Sequence, residues 1–171
     1  GGGPRKNVNG LEVEERTHLY EAIEKHPDFI VYGNKIKKNN ITVAYYYEKN
    51  SLYKKLLEVK GVKYNEIISK KLLPDGAILV DNTLYIIEKK FQNGAGSVDE
   101  KLQTCDFKRK QYLKLFLPIG INVQFYYVLN DWFKHESYKD VLAYIHSVNC
   151  HYKFNALPLS WLGLPNESVN T

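Results

Sequence analysis

The sequence predicts an α/β domain with a central mixed β-sheet and helices packed on both faces. Three observations predict it. Segments with helical spacing alternate along the chain with apolar segments of strand length. Two neighbouring segments, 77–80 and 83–90, are apolar on both faces, as strands in the middle of a covered sheet are. At 171 residues the chain suits one domain with a real core, so 1–171 reads as a single domain. The first eight residues, opening Gly1-Gly2-Gly3 in a chain without methionine, are expected to stand outside the fold.

The elements follow in order. Over 11–25, Leu11, His18, Leu19, Ala22 and Ile23 share one helical face while Glu12, Glu14, Glu15 and Arg16 lie elsewhere. His26-Pro27 ends that helix. Residues 29–32 read as a short strand, and 33–40 as a polar, basic loop or hairpin tip carrying Lys35, Lys37 and Lys38 without an acid. Residues 41–47, β-branched and aromatic, are a strand. Residues 51–59 are a short helix with Ser51 as N-cap.

The strands 77–80 and 83–90 are joined by Asp81-Asn82 as a two-residue turn. After the loop 93–96, Ser97 with Glu100 forms a capping box for a helix reaching Phe116, on the apolar line Val98, Leu102, Cys105, Tyr112 and Phe116. Pro118 and Gly120 stop it. Residues 122–129 are a third buried strand, 138–148 a helix and 152–157 a last short strand.

Composition narrows the function classes. The hydrophobic fraction of 44% and charged fraction of 25% are those of an ordinary soluble protein. The best apolar stretch, 112–129, is interrupted by Lys114, Pro118, Gly120, Asn122 and Gln124, which argues against a membrane span. Cys105 and Cys150 form no CxxC pair, which argues against a structural zinc site and a disulfide framework and points to a reducing compartment. A net charge of +5 is compatible with a polyanionic partner. The 14 tyrosines suit base stacking, and equally suit strands and half-buried surfaces. His135, His146 and His151 lack metal-ligand spacing, and Trp132 and Trp161 are expected in the core.

The hairpin register carries the chemistry. With a two-residue turn, Val80 pairs with Thr83, Ile78 with Tyr85 and Gly76 with Ile87, so Asp75 faces Glu88. Glu88 and Lys90 are two apart and share that face, whereas Lys89 points to the other. Two opposed carboxylates repel, and a hard divalent cation such as Mg²⁺ or Mn²⁺ removes that cost. The ion can acidify a bound water and offset charge on a phosphate, and Lys90 can orient that water or contact a phosphate oxygen. The plainer alternative is a strand-end salt bridge between Glu88 and Lys90, with Asp75 a turn residue after Pro74. Further lysines at Lys54, Lys55, Lys60, Lys63, Lys70 and Lys71, with Lys108-Arg109-Lys110 and Lys35, Lys37 and Lys38, either track phosphates or form solvated faces.

Pro74-Asp75 followed by Glu88-Lys89-Lys90 resembles the motif of the PD-(D/E)XK nuclease superfamily, and within it the type II restriction endonucleases. The likeness extends through 86–92, 96–112 and 129–134, and more weakly through 9–15. It implies an αβββαβ core and Mg²⁺-dependent hydrolysis of double-stranded DNA, leaving 5′-phosphate and 3′-hydroxyl ends. Asp75 and Glu88 would be metal ligands and Lys90 the catalytic lysine. Glu14 would approach the metal from the first helix, and Gln103 would lie near the site, though both also read as solvated residues. A homodimer presenting one site to each strand is implied, as is a cytoplasmic, prokaryotic-type restriction setting. A junction-resolving or repair nuclease on the same core, and a non-catalytic DNA-binding relative, are the alternatives.

Overall fold

In a computed structural model describing residues 8–94 and 96–165, seven strands form one mixed sheet in the order β2-β3-β4-β5-β6-β7-β8. These are β2 (Ile30–Tyr32), β3 (Lys35–Lys38), β4 (Ile41–Tyr47), β5 (Gly76–Val80), β6 (Thr83–Lys90), β7 (Asn122–Leu129) and β8 (His151–Phe154). The pairings from β2 to β6 are antiparallel, and β6–β7 and β7–β8 are parallel. The parallel steps need crossovers, which α2 (Val98–Leu102), α3 (Cys105–Phe116) and α4 (Lys139–Ser147) provide.

Side-chain alternation sorts the core into two layers. Ala77, Leu84, Ile86, Val123, Phe125, Tyr127 and Leu129 pack with α3 and α4 through Cys105, Tyr112, Phe116 and Ile145. Ile78, Val80, Ile87, Tyr126 and Val128 pack on the opposite face with Leu19, Ala22 and Ile23 of α1 (Leu19–Lys25). That second layer is closed by a small sheet of β1 (Gly10–Glu12) and β9 (Ala156–Pro158). Among the described residues no helix is long and apolar enough to cross a membrane.

The strands at 41–47, 83–90 and 122–129 have the expected bounds, and the α3 stop comes at a 3₁₀ turn containing Pro118 before left-handed Gly120. Elsewhere the local structure differs. The helix expected over 11–25 begins only at Leu19. Leu11 and Val13, two apart and both buried, belong to an extended segment pairing with β9, a distant partner that no local spacing reveals. The basic stretch 33–40 contains β3 between two tight turns, with Gly33, Asn39 and Asn40 at positive φ.

The helix at 51–59 is a π-helical turn, Tyr53–Leu57, followed by a 3₁₀ turn, Glu58–Lys60. Ser51 does not cap it; its hydroxyl bonds back to both the N–H and the carbonyl of Glu48. The helix expected over 97–116 breaks into α2 and α3, where Thr104 Oγ1 donates to the Lys101 carbonyl at 2.7 Å, and Ser97 makes no side-chain cap. The last strand divides at Asn155 (φ 65°) into β8 and β9, in different sheets. Trp132 is 38% exposed and donates to the Tyr138 hydroxyl, whereas Trp161 is half-buried against Tyr126. Cys105 and Cys150 meet as buried free thiols. The expectation for residues 1–8 falls, except for Val8, outside the described residues.

Candidate active site

The β5–β6 hairpin has the register read from its turn, with Val80 opposite Thr83, Ile78 opposite Tyr85 and Gly76 opposite Ile87. Asp75 immediately precedes the last paired residue of β5, and its carboxyl meets that of Glu88. Two further groups fix Asp75. The Lys89 main-chain N–H donates to Oδ2 at 2.9 Å, and the Lys49 ammonium donates to Oδ1 at 2.8 Å. Lys49 reaches it because β4 pairs with β5, Tyr47 facing Ala77, so that two residues on Lys49 comes level with Asp75. Close packing supports this edge: a Cβ built on Gly76 would lie 2.8 Å from Leu19 Cδ1 and 3.1 Å from Tyr46.

Glu88 is 6% exposed. It stands on the α3 face, where the phenols of Tyr112 and Tyr127 and the ammonium of Lys108 feel its charge. Burial, then the charge of Asp75, pushes its carboxyl up to about 7, against the opposing pull of Lys108 and Lys90. Burial works in the same direction on Asp75, but the bonds from Lys49 and the Lys89 N–H outweigh it and hold Asp75 below its ordinary value. As pH falls, Glu88 is therefore the first of the two to take a proton. The Lys90 ammonium lies 4.0 Å from Glu88 Oε2.

Lys89 turns to the opposite face, as alternation requires, and its ammonium donates to the carbonyls of Glu14, Glu15 and Thr17. That anchors the segment leading into α1. A cleft of about 370 Å³ opens beside Asp75, lined by Thr17, His18, Leu19, Glu48, Lys49 and Lys89.

The lysine clusters separate. Successive helical positions point about 100° apart, and the structure disperses Lys108-Arg109-Lys110 accordingly. Lys108 faces Glu88, Lys90 and Asp75, Arg109 faces Cys150 and His151, and Lys110 pairs with Asp106 at 2.9 Å. Lys108 is half-buried, and its ammonium has no hydrogen bond or contact ion pair among the described residues. Burial pushes its pKa down while Glu88 opposes that. Lys35 and Lys37 lie on one side of β3 and Lys38 on the other, its ammonium enclosed without a hydrogen-bond partner among the described residues. The Glu14 side chain reaches Lys25 at 3.9 Å, and Gln103 is exposed at the end of α2.

Lys49 is not foreseen from the sequence, and Lys108 is foreseen only as part of a basic run that could track phosphates, not as a neighbour of the carboxyl pair. Lys108 carried a signal: it stands three residues after Cys105 and four before Tyr112, a cation in the apolar stripe of its helix. Lys49 had none, because its place depends on a β4–β5 pairing across a long connection.

The donor chemistry of Asp75 and Glu88 fits a divalent cation. Two hard oxygen ligands are held together at a buried strand end, and their repulsion is what a cation offsets. Among the described residues no group of three or more His, Cys, Asp and Glu side chains forms a candidate metal set. Two carboxylates suffice for Mg²⁺, which keeps water or phosphate oxygens in its other positions. Compared with protein-family models, curated proteins and solved structures, the chain matches none of them.

Proposed function

We propose that this chain is a Mg²⁺-dependent DNA endonuclease of the PD-(D/E)XK type, with Asp75, Glu88 and Lys90 as its catalytic core. The observation that carries the reading is the shared carboxyl site of Asp75 and Glu88 at a hairpin end, with Lys90 on the same strand face. The antiparallel pairing of β4, β5 and β6, followed by α3 and the parallel strand β7, supports the reading.

Asp75 and Glu88 hold the metal, which when bound supplies positive charge against the phosphate. To serve as a ligand Glu88 would have to be deprotonated, which its burial beside Asp75 opposes. Lys90 orients the attacking water and contacts a non-bridging phosphate oxygen. Lys108 brings a second, uncompensated ammonium to the same space and binds the phosphate. The Lys89 N–H holds Asp75 in place and takes no part in proton transfer.

The restriction-type form of the proposal is a homodimer on double-stranded DNA, because one chain carries one site and the two strands are related by a local two-fold axis. A second reading, a nuclease of branched or frayed DNA, is favoured by exposed tyrosines on a lysine-bearing sheet face. Incubation with a long plasmid and Mg²⁺, followed by end mapping, separates the two. Discrete fragments support sequence recognition, structure-dependent nicking supports the second reading, and an intact plasmid contradicts both. Light scattering on a Ca²⁺–DNA complex tests the dimer: two chains support it and one chain contradicts it.

A further inference from the structure

The strands β2, β3 and β4 turn Val31, Ile36, Ala44 and Tyr46 inward onto the α1 layer. Their opposite side chains form a second face. Tyr32 stands opposite Lys35, Ile30 opposite Lys37, and Lys35 opposite Tyr45. Tyr32 is 76% exposed, Ile30 71% and Tyr45 37%. The Lys37 ammonium lies 5.8 Å from the centre of the Tyr32 ring. Residues 29–47 contain no Asp or Glu.

The register ties this face to the candidate active site. Tyr45 pairs with Leu79, and Leu79 with Leu84. Leu84, Glu88 and Lys90 alternate onto one side of β6. The row from Tyr32 through Lys35 and Tyr45 therefore lies on the same sheet face as the carboxyl pair. Tyr45 lies two residues before the end of β4, just beyond which Lys49 reaches Asp75.

We propose that this face docks single-stranded nucleic acid, with unpaired bases stacking on Tyr32 and Tyr45 and phosphates meeting Lys35 and Lys37. The proposal deepens the second reading, a nuclease of branched or frayed DNA, by naming an unpaired strand as part of the substrate, and rests on that reading only for the link to cleavage. Exposed rings flanked by lysines offer a base a face and its phosphate a charge. A duplex stacks its bases on one another and leaves no such face free. A second copy of the chain is a poor occupant, because a two-fold interface places the same patch on both sides. Lys35 and Lys37 would then meet lysines, and β2, β3 and β4 carry no acid to offset them.

Fluorescence anisotropy with a labelled oligo-dT in EDTA tests this in the absence of cleavage. Tyr32→Ala with Tyr45→Ala is expected to weaken binding on the order of tenfold per ring. Tyr32→Phe with Tyr45→Phe keeps the ring faces and is expected to bind as the unaltered protein does. Lys35→Gln with Lys37→Gln is expected to flatten the log–log salt slope by roughly 1.4, the single-strand value for two phosphates. Thermal melts confirm that each variant is folded. Oligo-dT binding unchanged in the folded double Ala variant overturns the proposal. So does equal affinity for a duplex of the same length, or a tyrosine dependence confined to self-association or to phosphatidylserine vesicles. Loss of plasmid cleavage with tyrosine-dependent oligo-dT binding intact would defeat the nuclease reading and leave this face standing, and the converse result would do the opposite.

Discussion

The main-chain N–H of Lys89 donates to Asp75 Oδ2 at 2.9 Å, while the ammonium of the same residue binds three carbonyls on the far side of the sheet. Lys89 thus joins the site to the segment before α1 without presenting its charge to the carboxyl pair. Lys89→Ala is expected to cost about 1–3 kcal/mol in denaturant unfolding, because three carbonyls lose a charged donor. Per folded molecule it should keep far more cleavage than Lys90→Ala. The reverse ranking would place the catalytic lysine at 89 and undo the account.

Gly76 stands next to Asp75 with no room for a side chain. Gly76→Ala would press a methyl group against Leu19 and the Tyr46 ring. A loss of about 1–3 kcal/mol in denaturant unfolding is expected, with cleavage weakened further as Asp75 shifts. Stability equal to the unaltered protein would show that the β5 edge yields more easily than its packing indicates.

Glu88 makes stability depend on pH. Its folded-state pKa, about 7, lies above the ordinary 4.5. The protonated folded state is therefore favoured, and this contribution is fully present below about pH 4.5 and lost as pH rises through about 7. In EDTA, Glu88→Gln should gain stability over the unaltered protein as pH rises, by roughly 3 kcal/mol between pH 4 and pH 8. Thermal melts across that range measure it, and a difference that does not change with pH would contradict the buried carboxyl pair. Mg²⁺ affinity should climb over the same interval, because the ligand must be deprotonated.

Lys108 favours the charged form of Glu88. Lys108→Met is expected to raise the Glu88 pKa further, read by carbon NMR of the carboxyl group. It should also slow cleavage by roughly a hundred- to a thousandfold, the scale of one lost electrostatic contact to the reacting group. Arg109→Ala and Lys110→Ala, whose side chains point elsewhere on α3, should leave the Glu88 titration unmoved. A Glu88 shift from either of those two, and none from Lys108, would contradict the placement.

The site was more legible than its frame. A two-residue turn between two apolar strands fixes register, so the meeting of Asp75 and Glu88 follows from counting along 75–90. The same counting turns Lys89 away. What remained hidden depends on partners far along the chain. Leu11 fits a helical face locally with Leu19, Ala22 and Ile23, but β9 claims that segment as strand, and the Glu14 side chain reaches Lys25. The strand β3 offers only Ile36 as an inward apolar residue among lysines, so it reads as a loop until β2 and β4 flank it. Cys105 and Cys150 meet only because α3 and the approach to β8 pack in one layer.

The most direct test of the central claim is cleavage of supercoiled plasmid by the purified protein, with Mg²⁺ or with EDTA. It is run alongside Asp75→Asn, Glu88→Gln and Lys90→Ala, each checked for folding by its thermal melt. The account predicts Mg²⁺-dependent conversion to linear product by the unaltered protein and loss of most of that activity in each variant. Undiminished cleavage in EDTA, or near-normal cleavage by any two of the three folded variants, would contradict it.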